Sequence, residues 1–451
     1  MTDLVARAVE MRAVQRMEEA LETITKASTQ NPDHPHAAMG LAQISFECWR
    51  PAAELFATAR RLVPDNPDLI RNHALALSAE GEREAAELLL EQTLHIHPGW
   101  IDGHRTLATM RITNGDLDNA DASYVTANSA IGPNVQVTMA WFQHHVTLKQ
   151  WAAARHILRA ALRAFPDSRQ LAMAELFLDS EEAGTQDLEQ RFAAFAKTRD
   201  PGFDLCHIRN LLRQGRYEAA EAIAEHHIDL PSARMFWPYL SLCWRLTNNA
   251  RANWLDGHPP YIAELDLDFS SVDLEALANV LRDLHRLKSP YPEQSVRGGT
   301  QTDRQLFFHP DTLIQSMRSK VETVVRDYRA SLPPIDVEHP LTDPHDAQVL
   351  FEGSWSVRLL GSGFHTPHTH IHGVISSAFY VAIPSPEEMG GDTAGQLSLG
   401  LPPPELALPL SPYRTIAPQL GRLVLFPSTM WHGTQAIASG ERLTIAFDVR
   451  H

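Results

Sequence analysis

The 451-residue sequence has only three cysteines, Cys48, Cys206 and Cys243, and no two of them lie close together in the chain. This scarcity argues against both a disulfide framework and a thiolate zinc site. No stretch approaches the ~18 uninterrupted apolar residues that a membrane helix requires. The opening residues also lack the continuous apolar region of a secretory signal. We therefore expect a cytoplasmic protein with no membrane segment.

Basic residues are also few relative to acidic ones. The chain has 39 lysines and arginines and 55 aspartates and glutamates, so its formal net charge is −16. Nucleic-acid affinity comes largely from lysine and arginine, and no basic run interrupts the acidic balance. We therefore expect no nucleic-acid partner. Apolar residues make up 44% of the chain, as in globular proteins, and the length predicts two or more domains.

The first part of the chain, residues 1–230, shows the three- and four-residue apolar spacing of helices and repeats every ~34 residues. The repeated positions are Pro32, Pro64, Pro98, Pro133 and Pro166, and in a second register Ala53, Ala86, Ala120, Ala154 and Ala220. Such a period is typical of antiparallel helix pairs that bury their apolar faces only by stacking. The segment resembles a tetratricopeptide-repeat array, with a degenerate unit near 180–210. The concave surface of such an array commonly holds a peptide or partner protein.

The pattern changes twice after the repeats. Three tryptophans within eighteen residues predict capping helices and a linker over residues 231–261. Two helical stretches follow, and between them lies a polar segment, SPYPEQSVRGGTQTDRQLF, that we interpret as a loop over the active site. After residue 345, five short β-type runs separated by Gly and Pro turns predict an antiparallel sandwich or jelly roll. The third predicted domain is therefore residues 262–451.

A run of histidines lies between two of the predicted strands. Its members are His365, His368, His370 and His372. Residues two apart on an extended chain point to the same side, so His368 and His370 can offer both imidazoles to one ion. A His370/His372 pair satisfies the same rule and remains an alternative. A third ligand is available at His432, sixty-two residues after His370.

Two segments, HTPHTHIHGVISSAFYVAIP and GRLVLFPSTMWHGTQAIASGERLTIAFDV, resemble the Fe(II)- and 2-oxoglutarate-dependent oxygenases. They are most similar to the bacterial branch related to prolyl hydroxylases that is often attached to tetratricopeptide repeats. The resemblance implies a multidomain α + β chain. An all-α repeat superhelix would precede a double-stranded β-helix (jelly roll) with flanking helices. It also implies Fe(II), 2-oxoglutarate as cosubstrate, and O2.

Carried over position by position, the resemblance implies that His368, His370 and His432 hold the iron. Three ligands on one face of a non-haem iron leave the other positions open. Arg442, ten residues after the last histidine, matches the arginine that pairs with the far carboxylate of 2-oxoglutarate. Thr444 matches the accompanying hydroxyl residue. The hydroxyl of Tyr380, on the strand after the first two ligands, could reach the same carboxylate.

The middle ligand departs from the family's usual pattern, in which an aspartate or glutamate takes the place of His370. Three neutral imidazoles leave the site one charge more positive, which should change its iron affinity and redox properties. Asp448 lies past the cosubstrate arginine, and we expect it to be a structural hydrogen-bonding residue. In the polar segment, Arg297 and Gln301 are candidate substrate contacts, although simple loop capping explains them equally well.

The predicted activity is hydroxylation of a substrate C–H bond by a 2-oxoglutarate-dependent dioxygenase. The repeat array favours a protein or peptide substrate, by analogy with other hydroxylases that pair helical repeats with this domain. Two alternatives remain open. One is an oxygenase for a small molecule, with the array serving assembly, and the other is a non-catalytic adaptor in which the sandwich is a relic.

Overall fold

The computed structural model describes residues 2–183, 188–195, 200–334, 336, 338–341 and 348–450. The chain divides into two compact units. The first is Met1–Pro166 with Arg304–Gln315, and the second is Asp167–Asp303 with Ser316–His451. The predicted domain limits at residues 230 and 261 come from changes in the sequence pattern, whereas the two compact units are defined by contacts within the structure. The two limits therefore stay predictions.

Antiparallel helix pairs build the first unit, as the repeat predicts. The helices are α1 (Thr2–Ala13), α2 (Met17–Gln30), α3 (Pro35–Glu47), α4 (Ala53–Leu62), α5 (Pro67–Ala79), α6 (Arg83–Ile96), α7 (Ile101–Thr113), α8 (Ala122–Ile131), α9 (Val135–Thr147) and α10 (Trp151–Ala164). Helices α3 and α5 start with proline, which has no backbone N–H group. At the first position of a helix this costs nothing, because an N–H group there has no partner within the helix. The repeated alanines Ala86 and Ala154 are completely buried, because only a small side chain fits where paired helices approach closely.

The segment Arg304–Gln315 belongs to the first unit although it follows residue 262 in the chain. The indole of Trp49 donates a hydrogen bond to the Gln305 carbonyl at 2.8 Å, and the Arg304 guanidinium lies 3.9 Å from the centre of the Trp49 ring. Phe308 is buried among apolar side chains of α1 to α3. An aromatic cluster thus anchors this segment within the repeat helices.

The second unit begins with the remaining repeat helices and continues into the β-domain. Its helices are α11 (Arg169–Ala183), α12 (Glu189–Phe195), α13 (Pro201–Arg213), α14 (Tyr217–Glu225), α15 (Ala233–Leu246), α16 (Ser271–Leu284), α17 (Thr312–Ser331, which starts in the first unit) and α18 (Pro386–Met389). Parts of the degenerate repeat, residues 184–187 and 196–199, lie outside the described residues. The two helical stretches predicted after the linker are α16 and α17.

Two antiparallel sheets form the predicted jelly roll. Their strands are β1 (Ala263–Asp266), β2 (Val296–Gln301), β3 (Leu350–His365), β4 (Ile375–Ala382), β5 (Leu397–Leu399), β6 (Arg414–Ile416), β7 (Arg422–Pro427), β8 (His432–Thr434) and β9 (Glu441–Arg450). The larger sheet has the order β1-β7-β4-β9-β3-β2, and the smaller has the order β6-β5-β8. The multidomain α + β fold predicted from the sequence is therefore confirmed.

The interpretation of the polar segment as a loop is wrong for residues 296–301, which form β2 and pair with β3. Glycines hid this strand in the sequence. Gly298 has a φ of +68°, and the register shifts beside it, as in a β-bulge. A Cβ on Gly299 would lie 2.2 Å from the Arg358 carbonyl oxygen. The glycines are needed because the two strands approach too closely for side chains there.

Helix α15, which lies in the predicted capping segment, packs directly on the β-domain within the second unit. Trp431 lies between β7 and β8, and its indole donates a hydrogen bond to the Pro238 carbonyl at 3.1 Å. The Tyr239 ring meets Trp431 edge-on. Near the start of α15, Arg234 donates to the Gly373 carbonyl at 2.7 Å. Helix α15 therefore contacts both chain segments that carry the predicted ligand histidines.

Candidate metal centre and cosubstrate pocket

Three histidines from two distant segments converge in the β-domain. His368, His370 and His432 each offer one ligand atom, and these atoms all lie within 4.8 Å of one another. His368 and His432 face each other as an isolated antiparallel bridge, with backbone N–H···O distances of 2.9 and 3.0 Å. The backbone N–H of His370 donates to the Ser428 carbonyl at 2.9 Å. Backbone hydrogen bonds thus fix the spacing of the three rings.

The outer ring nitrogen, Nδ1, of each histidine lies against an oxygen. The partners are the Thr366 carbonyl for His368 at 2.8 Å, the Met430 carbonyl for His432 at 3.0 Å, and the Asp448 carboxylate for His370. A carbonyl or carboxylate oxygen only accepts, so Nδ1 carries the proton of each neutral ring. In each neutral ring Nε2 then carries the lone pair, which is the state that a metal requires, and at His368 the Ser295 hydroxyl lies 3.2 Å from that nitrogen.

Burial favours the neutral form of two of these imidazoles, His368 and His432. Desolvation, followed by the proximity of His370, lowers the pKa of His368 to about 3. Desolvation and the neighbouring histidines also lower the pKa of His432 well below its ordinary value. A proton therefore competes weakly for these rings at neutral pH, and they can coordinate a cation.

The other two histidines of the run, His365 and His372, are not part of the three-histidine cluster. His372 is exposed to solvent and is not among the clustered histidines. The cluster thus contains the His368/His370 pair and not the His370/His372 pair. The ring of His365 stacks against His368 with centroids 5.9 Å apart, and burial, then Arg442, lowers the pKa of His365 well below its ordinary value.

Ser295, in the segment before β2, is a site residue that sequence reasoning missed. Its hydroxyl lies 2.9 Å from Nδ1 of His365 and 3.2 Å from Nε2 of His368. It stands seventy-three positions before His368 in a polar segment without a motif, so no sequence signal could have identified it.

A cavity of about 280 Å³ opens beside the three histidines. Its walls include the predicted cosubstrate residues Tyr380, Arg442 and Thr444. Of the two predicted substrate contacts, Gln301 lines the cavity. Arg297 is not among its lining residues, and its guanidinium donates two 2.7 Å hydrogen bonds to the backbone carbonyls of residues 294 and 296. The structure thus gives Arg297 a bracing contact and Gln301 a place in the cavity wall.

Arg442 is a buried cation without an anionic partner among the residues that the structure describes. Its terminal nitrogens donate to the Gly395 carbonyl at 3.0 Å and the Thr434 hydroxyl at 3.3 Å, while Nε has no hydrogen-bond partner. Burial lowers the pKa of this guanidinium, and within the described residues no carboxylate opposes that effect. The buried hydroxyl of Tyr380 also lacks a partner. Unpaired donors at the wall of a cavity fit a carboxylate ligand.

The whole donor set fits an iron ion and a keto diacid. Three imidazoles lie on one side of the cavity, and its wall includes the hydroxyl of Tyr380 and the guanidinium of Arg442, which has no anionic partner among the described residues. Imidazole suits iron among the divalent metals, and the arginine fork matches a carboxylate. These residues could therefore hold both groups.

Comparison with known proteins points to one family. Residues 353–448 match the family model described as "Putative 2OG-Fe(II) oxygenase". No curated protein matches the chain. No helix among the described residues has the length and apolar character needed to cross a bilayer.

Several solved structures show partial similarity. A Pseudomonas putida prolyl-4-hydroxylase is 14% identical, with 45% of this chain and 96% of that chain covered and a TM-score of 0.30. HygX from Streptomyces hygroscopicus, solved with nickel and 2-oxoglutarate bound, is 12% identical over 44% and 85% of the chains, also at 0.30. A tetratricopeptide-repeat protein from Parabacteroides merdae is 13% identical over 55% and 98%, at 0.35. These scores are low, so we draw no conclusion about substrate from them.

Proposed function

We propose that this chain, which carries the oxygenase domain of the 2-oxoglutarate- and Fe(II)-dependent family, hydroxylates a C–H bond of a protein or peptide side chain. The convergence of three imidazoles beside a buried guanidinium without an anionic partner among the described residues supports this proposal most strongly. With Fe(II) bound, such a site uses O2 and 2-oxoglutarate and yields succinate, CO2 and the hydroxylated product.

In this proposal His368, His370 and His432 are the metal ligands. Each ring would coordinate through Nε2, because Nδ1 already donates to an oxygen. The three hydrogen bonds fix the ring orientations before the metal arrives, which lowers the ordering cost of binding.

Arg442, Thr444 and Tyr380 would bind the cosubstrate. The unpaired Nε–H of Arg442 and the unpaired hydroxyl of Tyr380 can both donate to the carboxylate farther from the metal. Thr444 lies two residues after Arg442 on β9, so both side chains are on the same face of the strand. Anchoring this carboxylate leaves the keto acid end directed towards the histidines.

The size of the cavity supports a side-chain substrate. About 280 Å³ is just below the range of roughly 300–1,000 Å³ that holds whole drug-sized ligands. The cosubstrate would fill part of that space, and the remainder suits one side chain whose parent chain stays outside. Gln301 lines the cavity and is the proposed substrate contact, whereas Arg297 braces the segment before it. The repeat helices would recruit the parent protein.

Succinate release by the full chain tests this proposal. We expect the macromolecular fraction of a cell extract to stimulate succinate release, and mass spectrometry to show a 2-oxoglutarate-dependent gain of one oxygen atom on a captured protein. The His432→Ala variant should give neither signal. Stimulation by the low-molecular-mass fraction alone would favour the small-molecule oxygenase instead.

A further inference from the structure

Asp448 is a buried carboxylate that faces the candidate metal centre from behind one of its ligands. It lies on β9, opposite Ser376 of β4, and its side chain is only 8% exposed. One carboxylate oxygen accepts a hydrogen bond from Nδ1 of His370. The other accepts a bond from the Ser376 hydroxyl at 2.6 Å, and that hydroxyl also contacts the Ser428 hydroxyl.

Among the described residues, this carboxylate has no lysine or arginine partner within 4.0 Å. Its only ion-pair partner is the His370 ring, which is a cation only when protonated. A buried carboxylate without a compensating cation destabilises a folded protein. The arrangement becomes favourable once a cation is bound on the far side of the His370 ring.

The backbone is shaped to bring the ligand segment and Asp448 together. Gly373 lies three residues after His370, and a Cβ at this position would come within 2.6 Å of the Ser428 hydroxyl oxygen and 3.0 Å of the Asp448 Cβ. Only glycine allows the segment to lie so close to β9. The contact between His370 and Asp448 is therefore built into the fold.

We propose that Asp448 supplies, through His370, the negative charge that an aspartate or glutamate ligand would bring to the iron. This inference rests on the proposed function. A carboxylate that accepts the Nδ1 proton makes the imidazole a stronger electron donor at Nε2. Of the three rings, His368 and His432 donate to neutral carbonyls, and only His370 donates to an anion. His370 thus occupies the position of the usual carboxylate ligand, and the negative charge comes from Asp448 behind it. Asp448 is therefore a positioning residue, which acts on the metal only through His370.

The Asp448→Asn variant of the full chain tests this inference, because the asparagine oxygen can still accept from Nδ1 of His370 while the negative charge is lost; its NH2 group then faces the Ser376 hydroxyl. Anaerobic titration with Fe(II) should show an affinity reduced by roughly 10- to 100-fold, the usual effect of losing such a partner. The Fe(III)/Fe(II) reduction potential should rise, because the ferric state loses more stabilisation than the ferrous state. An unchanged affinity and potential in a folded variant would overturn the inference.

Ser376→Ala is the matched control. It removes the other hydrogen bond to Asp448 and keeps the charge, so its reduction potential should stay at the wild-type value. A potential that rises equally in both variants would show that the network matters only for structure, and would also overturn the inference. If the wild-type chain binds no Fe(II), the proposed function itself is wrong, which is a different outcome.

A second measurement decides the matter if Asp448→Asn does not fold. In the zinc-loaded wild-type protein, nuclear magnetic resonance should show the Nδ1 proton of His370 clearly downfield of the Nδ1 protons of His368 and His432. Three Nδ1 protons with the same shift would contradict a charge relayed from Asp448.

Discussion

At the scale of single residues, two uncompensated charges on β9 distinguish this site from an ordinary protein core. Arg442 near the start of the strand and Asp448 near its end are buried, and neither has a lysine, arginine, aspartate or glutamate partner among the described residues. Both lie on the same face of β9, as even-numbered positions of one strand do. Buried ions without a permanent counter-ion cost stability unless a ligand of opposite charge binds nearby.

Arg442→Met separates binding from folding. We expect the half-saturating concentration of 2-oxoglutarate to rise about 10- to 100-fold, because a charge-assisted hydrogen bond is worth about 1.5–3 kcal/mol. The free energy of unfolding should stay the same or increase, since the variant removes an unpaired buried charge. Cosubstrate titration and urea unfolding measure the two effects.

Arg209→Met is the control for Arg442→Met, because Arg209 is ion-paired with Glu181 at 3.1 Å. Its replacement leaves that carboxylate with one cation fewer and should lower the free energy of unfolding by about 3 kcal/mol without changing the use of 2-oxoglutarate. If Arg442→Met behaved like this control, Arg442 would be a structural residue.

A buried acid away from the metal centre predicts a pH dependence. Burial raises the pKa of Asp256 to about 6, although the Ser241 hydroxyl donates to its carboxylate at 2.7 Å. The folded chain therefore holds this proton more tightly than the unfolded chain, whose ordinary value is 3.8. The resulting stabilisation is complete below pH ~4 and is lost as the pH rises through about 6.

Asp256→Asn should therefore stabilise the protein at pH 8 and have little effect at pH 4. A pKa displaced from 3.8 to about 6 corresponds to about 3 kcal/mol, which is the upper limit of the gain. Urea unfolding of the variant and the wild type at the two pH values measures it. An equal effect at both pH values would rule out ionisation of Asp256 as the cause.

At the scale of elements, regular patterns were predictable and long-range contacts were not. The repeat period predicted the helix pairs, and the apolar runs predicted β3, β4, β5, β7 and β9. The remaining strands were not predicted. Strands β1, β6 and β8 have only three or four residues, and the glycines at the bulge in β2 interrupt its strand pattern.

The residues of the candidate site likewise fall into those that the sequence pattern predicted and those that depend on long-range contacts. The spacing of the histidines predicted a cluster of His368, His370 and His432, and the structure brings these three rings together. Their role as metal ligands stays a prediction. Ser295 and the charge relay from Asp448 depend on contacts between residues more than seventy positions apart, and a linear pattern carries no such information.

The contact between α15 and Trp431 predicts that a helix of the capping segment stabilises the candidate metal centre. Trp431 directly precedes His432 in the chain. The Trp431→Phe variant removes the hydrogen bond from the indole to the Pro238 carbonyl. We expect a loss of about 1–3 kcal/mol in the free energy of unfolding and a weaker affinity for Fe(II), measured by urea unfolding and anaerobic titration.

Trp244→Phe in the same helix is the matched control. Its indole donates to Glu221 of α14 at 2.7 Å, so its loss should cost similar stability and leave the affinity for Fe(II) unchanged. If both variants bound Fe(II) equally well, α15 would only support the fold.

At the scale of the whole molecule, the late repeat helices and the β-domain belong to one compact unit. Arg213 of α13 donates to the Glu405 carbonyl at 3.1 Å, and Leu406 and Trp431 are buried in the same apolar cluster as Phe236 and Trp244 of α15. A β-domain that shares its apolar core with repeat helices should not be separable from them.

A fragment of residues 262–451 therefore should not behave as an independent domain. Without α13 and α15, its Leu406 and Trp431 side chains would be exposed. We expect its thermal midpoint to fall by about 10 °C or more relative to the full chain, and its Fe(II) affinity to fall as well. Calorimetry and metal titration measure both. A fragment that melted and bound Fe(II) like the full chain would show instead that the predicted boundary at residue 261 is a true domain limit.

The most direct test of the ligand assignment is an anaerobic titration of the full chain with Fe(II) in the presence of 2-oxoglutarate. We predict the visible charge-transfer band of a chelated keto acid, saturating at one iron per chain. The band should be absent at the same concentrations in His368→Ala, His370→Ala and His432→Ala. A band of full intensity in any of these variants, or no band in the wild-type chain, would contradict a single iron held by these three imidazoles.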